Sequence, residues 1–399
     1  VSDPAVDAGG ARVLVVDDNP MNRDLLARRV ARLGHQVTLA EHGRAAVAHL
    51  TAQPFDIVLL DVEMPQMNGY EVLAWLKADP DRARTPVIMI SAVHDTEDIA
   101  RCIELGADDF LPKPFDPLLL RARLGASLAK KRLHDRERLY AESLERELEL
   151  GRRIQTSFLP DALPTPRGYE VAARFRAARQ VSGDFYDAFS PPGRDALVLV
   201  VGDVCGKGVG AALFMAVLRT LVRVLADEWA LAAPAGAGDS ADLLARMARL
   251  INRQVAETHG ATNMFATAFL GVLDPADGRL VYLNAGHDPP VVLDERGGAA
   301  RLAPTGPAVG LLPGLAFTVA ETRLEPGGLL CAYTDGVPES RDVAGVLYGE
   351  ERLLAQIAAP APSAAAVLDR LLAHRDAFAV DTEQADDITL LAVRRAHTG

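Results

Sequence analysis

Between Arg12 and about Leu128 the chain repeats one rhythm: a short, unbroken apolar run followed by a longer amphipathic stretch. The runs are RVLVV, HQVTLA, DIVLL, PVIMI and DDFLP. A run too short for a helix and apolar throughout reads as a strand covered on both faces, and strands separated by helices pair in parallel. The expectation is an α/β doubly wound, five-stranded parallel sheet, with its functional groups at the C-terminal ends of the strands.

Those ends carry acids. Asp17 and Asp18 follow the first run, Asp61 ends the third, Ser91 ends the fourth and Lys113 comes just after the fifth. An Asp-Asp pair after a strand is also what a helix N-cap looks like, so the weight lies on the whole set. Three crowded carboxylates repel one another unless a divalent cation neutralises them, and an all-oxygen pocket suits Mg²⁺. Asp61 can then act as a nucleophile toward phosphorus, giving an acyl phosphate, while Lys113 neutralises charge and Ser91 hydrogen-bonds the product.

The segments VLVVDDNP, IVLLDVEMPQMNG, MISA and GADDFLPKPF resemble the signature segments of two-component response-regulator receiver domains, over residues 11–127. The resemblance implies phosphorylation of Asp61 by a histidine kinase. It implies Mg²⁺ bound by Asp18, Asp61 and the backbone carbonyl of Glu63, with Asp17 holding a water. It further implies a conformational pair, Ser91 and Phe110, and a cis peptide at Lys113–Pro114.

From Leu128 to Arg153, 14 of 26 residues are charged with mixed signs and no proline, which predicts a long exposed helix as a linker over 128–158. Glu142 with Arg146 and Glu149 with Arg153 are acid-before-base pairs at i,i+4. Leu133, Tyr140, Leu144, Leu148 and Ile154 form an imperfect apolar stripe. That stripe fits a coiled coil between two copies of the chain, hence a homodimer, or a single helix lying on its own domain.

Beyond Tyr169 the pattern turns β-rich: YEVAARFRA, ALVLVVGDV, TAFLGVLD, RLVYLNAG, GLLCAYTDG and DDITLLAVRR. Helical stretches at Ala211–Glu228 and Ala241–Thr258 flank the low-complexity loop AAPAGAGDS. An α+β layered sandwich flanked by helices is expected over 159–396. Acids again mark strand ends: Asp203 after ALVLVVG, Asp184 in VSGDFYD, Asp335 after LLCAYT, and Asp386 and Asp387 before ITLLAV. Four acidic corners without clustered His or Cys point to a pair of Mg²⁺ or Mn²⁺ ions rather than zinc, and such a pair aims an activated water at phosphorus.

GRRIQTSFLP, SGDFYD, GDVCGKGVGAAL, NAGHDPP, TDGVPESRD and DDITL resemble the PPM-type metal-dependent serine/threonine phosphatases. Within them they are similar to the bacterial stress-response and sporulation branch of the RsbU and SpoIIE type, over about Glu149–Arg395. The resemblance implies that Asp203 bridges two metals, that the Val204 carbonyl, Asp335 and Asp386 complete the inner shell, and that Asp184 binds through water, with Asp387 a neighbour. It also implies a phosphorylated STAS-type anti-sigma-factor antagonist as substrate. Arg179 reads either as a phosphate-binding or as a surface arginine, and His287 as a general acid or as part of a turn at Gly286, Pro289 and Pro290.

A formal charge of −12 and a pI near 5.3 argue against nucleic acid and anionic membranes as partners, and no basic reader helix follows the receiver segment. Arg219 interrupts the longest apolar run, so no membrane span is expected. No secretory signal pattern opens the sequence, and three widely spaced cysteines, Cys102, Cys205 and Cys331, suit core packing in a reducing, cytoplasmic setting. The whole admits two readings: a phosphorylation-controlled phosphatase, or a phosphorylation-controlled binding switch that sequesters a sigma-factor regulator.

Overall fold

The computed structural model describes residues 10–92, 101–232, 239–259 and 264–397. It divides into two compact units, 1–144 and 145–399. Residues 233–238, most of the expected low-complexity loop, lie outside the described residues.

In the first unit, strands β1 (Arg12–Val16), β2 (Gln36–Ala40), β3 (Ile57–Asp61), β4 (Val87–Ser91) and β5 (Asp109–Pro112) form one parallel sheet in the order β2-β1-β3-β4-β5. The runs read as strands fall in it within a residue or two. Every residue of β3 and β4 is buried, because the sheet is packed on both faces. Leu14, Val58, Leu60 and Met89 serve one face; Val13, Val15, Leu59 and Ile90 serve the other. Helix α1 (Pro20–Arg32) starts with proline in its first turn and Asn19 as N-cap. Helix α2 spans Gly43–Ala52. Helix α3 (Gly69–Lys77) opens with a reciprocal capping box between Asn68 and Glu71.

Helix α4 is a single 40-residue element, Pro117–Thr156. It begins well before the expected linker: Leu120, Leu124 and Leu128 are buried in the receiver core, and only afterwards does the helix turn polar. Of the stripe, Leu133, Tyr140, Leu144 and Ile154 are exposed among the described residues and Leu148 is half-buried. Glu149 pairs with Arg153 at 3.5 Å as expected, and Glu142 reaches Arg138 at 3.7 Å.

The second unit stacks four layers. One antiparallel sheet has the order β13-β10-β9-β8-β7: β7 (Phe185–Phe189), β8 (Leu197–Val204), β9 (Ala266–Leu273), β10 (Arg279–Ala285) and β13 (Ala320–Arg323). The other has the order β12-β11-β14-β15-β6: β6 (Tyr169–Arg176), β11 (Val291–Leu293), β12 (Ala299–Arg301), β14 (Leu329–Tyr333) and β15 (Ile388–Arg395). Alternation along β8 sorts its side chains. Leu197, Leu199 and Val201 point between the sheets, toward Leu330 and Leu391. Val198 and Val200 point outward to helices α5 (Val209–Ala232) and α6 (Ser240–His259). Helices α7 (Gly349–Ala358) and α8 (Ala364–Phe378), not anticipated from sequence, cover the second sheet.

One expectation needs correction and the reason for another needs refining. Residues Val209–Leu231 are long and apolar enough to cross a membrane by length and composition alone. Arg219 does not exclude that segment on composition; what occupies it is packing, for Phe214, Met215, Leu218, Val222 and Ala226 are buried against the sheet. Arg219 and Arg223 reach the buried Asp187 of β7 at 2.9 and 2.7 Å. Cysteine placement also differs: Cys102 and Cys331 are buried, but Cys205 is half-exposed in the loop after β8.

Candidate functional site

The receiver site is a cleft of about 670 Å³ at the C-terminal edge of the parallel sheet, lined by Asp18, Asp61, Glu63, Ser91 and Lys113 among others. Parallel strands all end on that edge, which is why residues 17, 61, 91 and 113 meet. Ligand atoms of Asp17, Asp18 and Asp61 lie within 4.8 Å of one another. Asp17 and Asp61 are buried and Asp18 is exposed. Lys113 Nζ sits 2.6 Å from Asp61 and 3.1 Å from Asp17. Burial pushes the Asp61 carboxyl up to about 6, despite the hydrogen bond from Lys113; the charge of Asp17 adds to the rise, and the Glu63 backbone N–H opposes it. Ser91 is buried at the cleft, and Phe110 is buried on the adjoining strand, where it pairs with Met89. The Lys113–Pro114 peptide is cis, as the resemblance implied.

In the second unit Asp203 is not beyond its strand but within it, paired across the ladder with Thr267. It shares the parity of Leu197, Leu199 and Val201, so its carboxylate emerges at the mouth between the two sheets. Asp335 lies two residues past β14 and Asp386 two residues before β15, both from the facing sheet. Asp184 immediately precedes β7 and is buried. Its Oδ2 accepts hydrogen bonds from the hydroxyls of Thr334 and Thr389, each at 2.7 Å. Neither threonine was singled out from sequence.

The electrostatics record the convergence. Burial pushes Asp203 up to about 7, helped by the charges of Asp335 and Asp386. Burial raises Asp335 to about 6, with Asp386 and Glu339 adding to it. Asp184 is raised well above the carboxylate range by burial and then by Asp203. Carboxylates forced together in this way favour cation binding. The donors are carboxylate and carbonyl oxygens, the set that hard divalent ions take. A cradle for them is kept by Gly183: a Cβ there would lie 2.8 Å from the Val204 carbonyl oxygen and 3.5 Å from Asp203 Oδ1. The residue types present suit divalent cations, with Lys207 held 2.8 Å from Asp386 at the rim; among the described residues, only Asp17, Asp18 and Asp61 bring three carboxylates within 4.8 Å of one another.

Asp387, expected as a neighbour of the metal set, instead holds backbone: its two oxygens accept the N–H groups of Ala178 (2.7 Å) and Gly183 (3.0 Å). Arg179, on the short loop between them, is exposed and has no hydrogen bond or ion pair among the described residues. His287 is buried; its backbone N–H donates to Asn284 Oδ1 at 2.8 Å and its ring Nδ1 lies 2.9 Å from Thr267 Oγ1. Burial lowers it to about 4, so it is neutral near pH 7. That supports the turn reading over the general-acid one.

Comparison with known proteins matches this division. The family model described as Stage II sporulation protein E (SpoIIE) matches residues 193–396, and that of the response regulator receiver domain matches residues 13–125. Protein IcfG of Synechocystis sp. is 41% identical over 267 residues, 62% of this chain and 41% of its own length. Transcriptional regulatory protein TcrA of Mycobacterium tuberculosis is 43% identical over 117 residues, 29% of this chain and 46% of its own. The chain thus spans less than half the length of these curated relatives. Among solved structures, the SiaA-PP2C domain of Pseudomonas aeruginosa is similar in fold, with 21% identity, a TM-score of 0.52, and coverage of 64% of this chain and 98% of that domain.

Proposed function

This chain belongs to the stage II sporulation protein E family, a PPM-type serine/threonine phosphatase domain joined here to a response-regulator receiver, and on that premise we propose that it removes phosphate from phosphoserine or phosphothreonine of a partner protein under control of Asp61. The observation that supports this reading is that Asp184, Asp203, Asp335 and Asp386 come from the ends of two facing sheets, that burial and mutual charge raise the carboxyls of Asp184, Asp203 and Asp335, and that Gly183 keeps a gap beside Asp203.

In this reading Asp203, Asp335, Asp386 and the Val204 carbonyl would hold a pair of Mn²⁺ or Mg²⁺ ions, with Asp203 shared between them and Asp184 acting through a water. Bound there, the ions supply a lowered water pKa and neutralise the phosphate oxygens. Asp203 and Asp335 would orient the attacking water; it loses a proton to solvent as its P–O bond forms, and the serine or threonine oxygen takes a proton from solvent as its bond to phosphorus breaks. Thr334 and Thr389 hold Asp184 in one rotamer. Arg179, which has no hydrogen bond or ion pair among the described residues, would bind the phosphate of the substrate.

The receiver, which we bound at 11–127, accepts a phosphoryl group from a histidine kinase on Asp61, beside the oxygens of Asp18, Asp61 and the Glu63 carbonyl, which would hold Mg²⁺. Lys113 and Ser91 contact the transferred group, and Phe110 follows Ser91. The linker at 128–158 carries the change, with the exposed stripe of α4 pairing in a homodimer, to the phosphatase at 159–396. A phosphorylated STAS-type anti-sigma-factor antagonist is the partner proposed as substrate, in the cytoplasm. The competing binding switch needs no crowded carboxylates. Asp203→Asn tests the choice: Mn²⁺-dependent phosphate release from a phosphoserine protein should fall at least ~1000-fold, on the order of a lost metal-bridging group. Activity within about tenfold of the parent would remove Asp203 from the mechanism.

A further inference from the structure

Gln155, on the last turn of α4, is 7% exposed while Arg153, Ile154 and Thr156 around it are exposed. A buried primary amide has to find partners for its oxygen and its nitrogen. Both go to one residue: Oε1 accepts the backbone N–H of Ser182 at 2.9 Å, and Nε2 donates to the Ser182 carbonyl at 2.5 Å. The side chain thus grips the Ser182 backbone as a neighbouring strand would.

Ser182 leads directly into the proposed cation site. Its Oγ accepts the N–H of Asp184 at 3.0 Å, and Gly183 is the residue whose missing side chain leaves the Val204 carbonyl and Asp203 accessible. The loop 178–184 has two other anchors, the Asp387 bonds to Ala178 and Gly183, and Asp184 itself is tied to Thr334 and Thr389. Removing Gln155 therefore frees one point of the loop without emptying the core.

We infer that Gln155 is a positioning residue for the phosphatase cation site: its amide fixes Ser182, and through Ser182 the aim of Asp184 and the gap over the Val204 carbonyl. This rests on the metal-dependent phosphatase reading. Residues that orient metal ligands typically change affinity by about 10- to 100-fold when lost.

The test uses the full chain carrying Asp18→Asn, so that the receiver does not contribute ion binding. Free Mn²⁺ is titrated by electron paramagnetic resonance, and amide hydrogen exchange is followed across residues 178–184. Gln155→Ala and the similarly sized Gln155→Met should both weaken Mn²⁺ binding about 10-fold or more and speed exchange at Ser182 and Gly183, with an unchanged far-UV spectrum. Parental affinity and exchange in the Met variant would show that Gln155 only fills space and would overturn the inference. If Gln155→Ala does not fold, the Met variant alone decides. A parent chain that takes up no Mn²⁺, or that loses none with Asp203→Asn, would instead bring down the phosphatase reading itself, which separates the two failures.

Discussion

His287 shows how a chemically inviting residue is put to structural use. Its ring is enclosed, its backbone N–H is held by Asn284, and Asn284 is itself buried and donates to the Leu302 carbonyl at 3.0 Å. The folded chain refuses a proton until about pH 4, whereas an exposed histidine takes one near 6.5. Above about 6.5 both states are neutral and this residue adds no pH dependence. As pH falls from about 6.5 toward 4 the unfolded state alone gains the proton, so stability is lost, by up to about 3 kcal/mol. Urea unfolding of the parent and of His287→Asn should therefore diverge in slope between about pH 6.5 and 4.5, the parent losing stability faster; parallel curves would contradict a buried neutral ring. Sequence could name the residue but not its role, because Thr267 and Asn284 become its partners only through folding. The same holds for Thr334, Thr389 and Gln155, whose partners lie 150, 205 and 27 residues away.

At the scale of elements, the strands that form the sheet interiors were the legible part. Fully buried strands such as IVLLD and LVLVV are continuous apolar runs, and a run of that kind has few other folds. Strand β7 was not read as one because Asp187 interrupts FYDAF, and only the ion pairs with Arg219 and Arg223 make that acid tolerable in a buried strand. The short β11, β12 and β13 lack length, and β12 is exposed throughout. Helix α8 is rich in alanine and weakly patterned, so its apolar face does not stand out in sequence. The long α4 was legible in its charged half but not in its first turns, which look like receiver core because they are. Its middle is where a break can be made cleanly: Leu144 is exposed, and a proline there costs about 3 kcal/mol of local helix without removing buried surface. Leu144→Pro should leave Mn²⁺-dependent phosphatase activity within about twofold while abolishing the change in activity caused by an acyl-phosphate mimic at Asp61, as a local break requires. A preserved response, read as phosphate release with and without the mimic, would rule out the helix as the route.

Across the whole molecule, two carboxylate clusters serve opposite halves of phosphate traffic, one proposed to accept a phosphoryl group and one to hydrolyse it. Each cluster carries a lysine of the chain itself, Lys113 against Asp17 and Asp61, Lys207 against Asp386. Part of the charge repulsion is therefore offset internally, so the chain is expected to fold without divalent ions. Chelation with EDTA should silence phosphate release yet leave a cooperative thermal transition. Adding Mn²⁺ at about 100 times its Kd should raise stability by about 2.7 kcal/mol and the transition of the phosphatase unit by roughly 5–10 °C. Calorimetry that found an unfolded chain in EDTA would refute this.

Those tethered ammonium groups turn each pocket into a small ion exchanger with a captive counterion. A divalent ion that bound there would share its carboxylates with a group that can swing aside but never diffuse off, so its loading would be a competition at fixed, high local concentration.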